Sequence, residues 1–114
     1  MVHVEIFKYD DGSIGGFESR GHAGFADKGK DIICAAVSMT VINTINSIDE
    51  LLPEDGSKME VLSEEEKGIL RCTFKEKPSK EAELLLRSMY LGLKTIRKEY
   101  GKKYLELLDT GLKA

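Results

Sequence analysis

Two side chains in the first third of the chain, Cys34 and His22, can together carry out nucleophilic chemistry. A cysteine thiolate is a strong nucleophile, and a neutral imidazole beside it can take the thiol proton and later protonate a leaving amine. The other residues of these types pair less well, because His3 falls in a predicted strand and Cys72 lies on the apolar face of another. We therefore take Cys34 as a candidate nucleophile and His22 as its candidate base.

The predicted position of Cys34 in a helix favours its thiolate. Asp31 is a typical N-cap residue, and the apolar residues 32–37 follow it, so the pattern predicts that a helix begins there. Cys34 would then lie in the first turn, where unpaired N–H groups and the helix dipole stabilise an anion. The same N–H groups can hold a developing oxyanion.

A glycine-rich loop, residues 21–30, precedes this helix and contains His22. Its glycines are Gly21, Gly24 and Gly29. The loop must fold back towards the helix start in order to connect a strand to it. We expect its glycines to let it close over a substrate.

Each of these residues also has a structural interpretation. Cysteine is often buried as a small hydrophobe, so Cys34 can belong to a buried helix start, as Cys72 belongs to a predicted core strand. Asp31 can be only a cap. Ser38, one turn after Cys34, can bond backward along its own helix. The residues alone leave these alternatives open.

The elements that must position the candidate pair are read from hydrophobic periodicity. Val2, Val4 and Ile6 alternate with polar residues and predict a strand, and after a turn at 10–13 a second strand follows over 14–19. That strand contains Gly15-Gly16, which predicts a bulge or a close approach by a substrate strand. The helix over 31–52 has an apolar face formed by residues 37, 41, 45, 48 and 52.

The second half predicts another hairpin, a second helix and a last strand. The hairpin pairs residues 58–62 with 69–74, and the helix runs from Pro78-Ser79 to a left-handed stop at Gly101. Its apolar side is formed by residues 82, 85, 86, 89, 93, 96 and 100, and the last strand covers 104–108. The order ββαββαβ predicts one α+β domain over residues 1–114, with two helices packed on one face of a mainly antiparallel sheet.

Composition restricts the classes of function. Of the 114 residues, 41% are hydrophobic and 32% charged, as in ordinary globular domains. A net charge of −3 and a pI near 5.4 argue against broad nucleic-acid binding. We find no signal peptide, and the longest apolar run, at 32–37, is short of membrane-spanning length. Two Cys and two His are too few for a structural zinc site, and free thiols suit a cytoplasmic protein.

The run GHAGFADKGKDIICAAVS resembles the signature of the ribosomal-processing cysteine protease (Prp) family. In that signature a G-H-A element precedes D-I-V-C-A-A-V-S, and this chain has Ile33 where valine is frequent. Length and element order also fit, so the resemblance covers essentially the whole chain.

The resemblance implies a function and a set of site residues. Such proteases remove a short N-terminal extension from a large-subunit ribosomal protein, act as homodimers and have a mobile glycine-rich loop over the active site. His22 would be the base and Cys34 the nucleophile, with Asp31 and Ser38 supporting them. No metal or organic cofactor is implied.

The main alternative is a non-catalytic ribosome-associated or RNA-binding module. Such a module would present aromatic and basic residues on one sheet face. Phe7, Tyr9, Phe17 and Phe74 are available, but the predicted strands carry few basic residues. A second alternative is a structural dimer in which Cys34 is buried.

Overall fold

A computed structural model of the protein describes residues 1–21 and 28–112, and residues 28–31 in backbone only. The elements in chain order are β1 (Val2–Lys8), β2 (Ile14–Arg20), α1 (Lys28–Leu51), α2 (Pro53–Lys58), β3 (Met59–Glu64), β4 (Ile69–Phe74), α3 (Lys80–Tyr100) and β5 (Leu105–Gly111). The predicted order ββαββαβ is confirmed, with the one-turn helix α2 added where Pro53 ends the first helix.

The five strands form one sheet in the order β3-β4-β2-β1-β5. The pairs β1–β2, β2–β4 and β3–β4 are antiparallel, and β1–β5 is parallel. The prediction of a mainly antiparallel sheet is therefore confirmed. Its edge strands are β3 and β5, which places the hairpin β3–β4 on the side of the sheet away from β5.

The core lies between one face of this sheet and the two long helices. The alternating residues of β1 point into it, and they meet the apolar stripes of both helices. Its members from α1 are Ile33, Val37, Val41 and Ile48, and those from α3 are Ala82, Leu86, Met89 and Leu93. Both predicted apolar faces are confirmed in their central residues. Tyr100, predicted on the apolar side of α3, is instead 56% exposed at the helix end.

The glycine pair in β2 forms a β-bulge. The register shifts between the pairs Phe7↔Gly16 and Lys8↔Ile14, so Gly15 is the extra residue. Gly16 has φ +151°, and a Cβ there would lie 2.5 Å from the Cys72 carbonyl oxygen. The bulge that the sequence predicted is confirmed, and close backbone approach explains why glycine is needed.

The beginning of α1 differs from the prediction. The helix starts at Lys28, so Asp31 is a first-turn residue instead of the N-cap, and Gly29 lies in the helix instead of the loop. Aspartate is favourable both as a cap and within the first turn, because both places are near the positive end of the helix dipole. The residue type therefore could not distinguish the two positions.

The same helix corrects the expectation about apolar runs. The segment Ile32–Leu51 has a mean hydropathy of 1.4, and its length and composition alone would allow it to cross a membrane. Most of the polar residues that interrupt it, such as Ser38 and Asn43, are uncharged and lower the average little; its charged residues, Asp49 and Glu50, lie at its end. In this fold one side of the segment packs in the core, as in other core helices.

The end of α3 is only partly as predicted. Gly101 ends the helix, and its N–H donates to the carbonyl oxygen of Arg97 at 2.9 Å. Its φ of +96° is positive, as a left-handed glycine stop requires, but its ψ of 156° lies outside the left-handed helical region that was predicted. The last strand, β5, runs further than the predicted 104–108 because it pairs along the whole of β1.

Candidate active site

The two cysteines of the chain lie in different environments. Cys34 is half-buried on α1 and packs against the core, whereas Cys72 is fully buried on β4. Burial raises the pKa of the Cys72 thiol to about 12. Cys72 is thus a protonated core thiol at neutral pH, and Cys34 is the cysteine that a substrate can reach.

Cys34 begins a stripe along one side of α1. The residues that follow it at helical spacing are Ser38, Val41, Ile42 and Ile45. Ser38 is half-buried and lies one turn after Cys34, so the two predicted site residues share one helix face. This stripe from Cys34 to Ile45 is about 16 Å long at 1.5 Å per residue.

The four residues after Cys34 form one wall of a cleft of about 370 Å³, which we call the α1–β3 cleft. The opposite side is formed by the hairpin β3–β4 and the end of β2. The lining residues from that side are Ser19, Val61, Ser63, Glu64, Glu65, Gly68, Ile69 and Leu70. Each helix has a diameter of about 10 Å, so two helices side by side cover a width of roughly 20 Å. A sheet of five strands is wider than this by about one strand. The cleft is the uncovered part beside β3.

The end of β2 lines this cleft, and the predicted base follows it in the sequence. Ser19 lines the cleft, and Gly21 follows two residues later with φ +87°. A Cβ on Gly21 would lie 2.5 Å from the Met1 carbonyl oxygen, so its backbone is held against the start of β1. His22 is the next residue, and three residues of chain reach at most about 10 Å from Ser19.

Several predicted site residues lie outside the described part of the structure. His22 and Gly24 are not described, and for Asp31 and Gly29 only the backbone position is. The contact between His22 and Cys34 therefore stays a prediction. Asp31 comes three residues before Cys34 in α1, which places both on neighbouring turns of one helix.

The first-turn position predicted for Cys34 is wrong. Because α1 begins at Lys28, its unpaired N–H groups belong to residues 28–31, and the N–H of Cys34 bonds within the helix. Donors for an oxyanion at this helix start therefore precede Cys34. The helix dipole contributes little at Cys34, since its effect falls off within the first turn.

The cleft residues on β3 and β4 were missed by sequence reasoning. Alternation predicted the hairpin, but not that Val61 and Ile69 lie beside α1. Only the strand order places them there. Within residues 1–21 and 28–112 there is no cluster of three metal-ligating side chains.

The sequence matches the family described as "Cysteine protease Prp" over residues 1–105. The ribosomal processing cysteine protease Prp of Bacillus subtilis is 32% identical over 104 residues, which cover 88% of this chain and 90% of that protein. The protein of the same name from Staphylococcus aureus strain Mu50 is 28% identical over 102 residues, or 90% of this chain and 93% of that one.

The fold is similar to solved structures as well. The crystal structure of the essential ribosomal processing protease Prp from S. aureus in complex with a substrate peptide has a TM-score of 0.85 and 26% identity. It covers 96% of this chain and 100% of that chain. A second structure of that protease, with a covalently linked product peptide, has a TM-score of 0.81 and 27% identity.

Proposed function

The chain belongs to the cysteine protease Prp family, and we propose that it is the endopeptidase that removes the N-terminal extension of a large-subunit ribosomal protein precursor. The observation that carries this proposal is that Cys34 is half-buried and lies one helical turn before Ser38, which lines the α1–β3 cleft, while Cys72 is buried. The relatives named as ribosomal processing proteases, one of them crystallised with a substrate peptide, support the same substrate class.

The proposed reaction is thiol-dependent hydrolysis. His22 takes the proton of Cys34, and the thiolate sulfur attacks the scissile carbonyl carbon. The imidazolium then protonates the leaving amine as the C–N bond breaks, which leaves an acyl thioester. His22 next removes a proton from water, which attacks the thioester and releases Cys34. Asp31 and Ser38 support this pair from the same helix, and no metal or cofactor takes part.

The test is cleavage of the purified precursor by Cys34→Ala. We expect cleavage to fall by at least about a thousandfold, because no other group can form the thioester. Cys34→Ser should be nearly inactive, since a hydroxyl is much harder to deprotonate than a thiol. Melting temperature should change little, as only one half-buried sulfur is lost. Cys72→Ala is the control and should still cleave when folded. Full activity of Cys34→Ala would rule out the mechanism.

We also propose that the enzyme is a homodimer. The outer side of α1 supports this, because Ile32 and Met39 are 55% and 65% exposed at a spacing of seven residues, with Ala35 exposed between them. An apolar helix stripe of this kind is typical of a surface that is covered by a partner.

We place the enzyme in the cytoplasm. Two free cysteines, one of them accessible, suit a compartment that keeps thiols reduced. The proposed substrate, a ribosomal protein, is made in the same compartment.

We expect no direct binding of nucleic acid. The sheet face opposite the helices carries acidic residues on adjacent strands, with Glu5 directly opposite Glu18. Phe7, an aromatic residue on that face, is only 6% exposed and lies under the Arg71 guanidinium. This surface has neither the exposed aromatics nor the net positive charge that RNA binding through a sheet needs.

A further inference from the structure

The α1–β3 cleft has the chemistry of a site for an apolar side chain. Three of the four residues of its helix wall are aliphatic, and Val61 and Leu70 face this wall from the sheet. Ile42 and Val61 are 42% and 46% exposed, which is high for two aliphatic residues on opposite walls of one cleft. Covering them with another apolar group removes this surface from water and is favourable by the hydrophobic effect.

The cleft also has the size and position of a peptide subsite. Its volume of about 370 Å³ is within the range of about 300 to 1,000 Å³ found for ligand pockets. The stripe that leads into it begins at Cys34, and about 16 Å of helix matches about five residues of extended peptide. A peptide bound with its scissile bond at Cys34 therefore has neighbouring residues within reach of the cleft.

The edge strand β3 can order such a peptide. It is the outermost strand on this side of the sheet, and an extended peptide can run along an edge strand with alternate side chains pointing into the adjacent pocket. Glu64 and Glu65 lie at the hairpin end of the cleft, where Glu64 forms an ion pair with Lys67 at 3.5 Å. An aspartate or glutamate side chain of the peptide is disfavoured in the cleft, because its aliphatic lining offers a buried carboxylate no partner.

We propose that the α1–β3 cleft selects the substrate sequence by binding one large apolar side chain close to the scissile bond. Val61, Ile42 and Leu70 are its specificity-determining residues. The proposal rests on the proposed function, because it takes the bound molecule to be the peptide that Cys34 cleaves.

Strand β3 offers a matched pair of variants. Val61 is paired with Cys72 and points to the helix side, whereas Leu62 is paired with Arg71 and points to the opposite face. Their exposures, 46% and 48%, are nearly equal. Val61→Asp and Leu62→Asp thus make the same chemical change at the same exposure, and only the first places a carboxylate in the cleft.

The binding experiment uses the Cys34→Ala background, so that peptide binding is measured without cleavage. The probe is a fluorescent peptide that spans the extension and the first residues of the ribosomal protein from the same organism, followed by anisotropy. We expect Val61→Asp to weaken binding at least tenfold and Leu62→Asp to change it less than twofold. Replacing the peptide's apolar residues by Asp one at a time should identify one position whose loss is partly restored by Val61→Lys.

The outcomes separate this proposal from the proposed function. Equal affinity of Val61→Asp and Leu62→Asp for the peptide, or no binding of the peptide at all, would overturn the proposal that this cleft binds a substrate side chain. Cleavage of the precursor by the chain with Cys34 intact is measured in parallel, and its absence would overturn the proposed function alone. Melting temperature, and alkylation of Cys34 by iodoacetamide in the variants that retain it, show that a weakened variant is still folded.

Discussion

At the residue scale, the difference between the two cysteines is the main result. Both were candidates for a buried hydrophobic role, and the structure gives that role to Cys72 alone. Cys72 is 0% exposed, with Phe17 and Val61 as its partners on the adjacent strands, so a peptide does not reach its sulfur. Cys34 has partial exposure and a cleft beside it, which a nucleophile needs.

This difference predicts selective alkylation of the native protein. We expect iodoacetamide to modify Cys34 at least about ten times faster than Cys72 at pH 8, because burial shields Cys72 and raises its pKa. Mass mapping after brief labelling measures both rates. In urea the two rates should become similar. Equal rates in the native protein would contradict an accessible Cys34.

Asp31 has two possible roles now that it lies in the first turn of α1. A carboxylate there stabilises the helix by roughly 0.3 to 1 kcal/mol through the dipole. As a residue that positions His22, it is needed for turnover as well. We expect the second role, so Asp31→Asn should lose at least about tenfold in kcat/KM with a small change in melting temperature.

The pH profile of kcat/KM distinguishes the two roles of Asp31. If the Asp31 carboxylate acts on the proposed catalytic pair, its removal takes away a negative charge that favours the protonated forms, so the whole profile of Asp31→Asn should move to lower pH. Glu50→Gln is the control, because it removes one negative charge from the far end of the same helix. Normal turnover and an unmoved profile in Asp31→Asn would leave Asp31 with only its helix role.

At the element scale, the bulge in β2 fixes the sheet geometry that forms the floor of the cleft. Gly16 lies between Phe7 and Thr73 of the neighbouring strands, and its φ of +151° is rare for residues with a side chain. The carbonyl oxygen that would meet a Cβ there belongs to Cys72, whose strand also carries Leu70 into the cleft. Movement of β4 would therefore change the cleft as well.

We expect Gly16→Ala to lower the free energy of unfolding by about 2 kcal/mol or more, since it adds backbone strain and a contact that only backbone movement can relieve. Urea denaturation measures the change. Gly111→Ala on β5 is the matched control, because nothing lies within 4 Å of the added Cβ, and it should change stability by less than about 0.5 kcal/mol. Equal free energies of unfolding for Gly16→Ala and Gly111→Ala would contradict this prediction and show that the backbone at the bulge can move to accommodate a Cβ.

At the scale of the whole molecule, two helices leave part of the sheet and part of α1 uncovered. The inner uncovered region is the α1–β3 cleft, and the outer one is the stripe of Ile32, Ala35 and Met39. Both begin within a turn of Cys34. A dimer that covers the outer stripe would therefore form beside the active site.

The proposed dimer predicts that Met39→Glu produces a monomer, because a carboxylate buried in an apolar interface is strongly unfavourable. Light scattering after size-exclusion chromatography measures the mass. Leu91→Glu on α3 is the control, since Leu91 is 66% exposed against 65% for Met39, and it should leave the dimer intact. A monomeric wild-type protein, or a Met39→Glu variant that is still a dimer, would contradict a dimer interface on the outer side of α1.

The sequence by itself determined the elements and indicated the candidate nucleophile, because both depend on local patterns. Alternation in β1, helical spacing in α1 and the Gly15-Gly16 pair are set by neighbours a few residues apart, and the structure follows them. The motif around Cys34 is local as well. Its exact place in the helix was not predictable, since a first-turn aspartate and a capping aspartate look alike in sequence.

Only the tertiary structure decided what surrounds Cys34. The order β3-β4-β2-β1-β5 depends on pairings between distant segments, for which no local pattern exists. That order brings Val61 and Ile69, far along the chain, to the stripe that Cys34 begins. It also leaves β3 without a covering helix, because two helices are too narrow for five strands. The cleft thus results from the width of the sheet and the order of its strands, and neither can be predicted from the local pattern of a single segment.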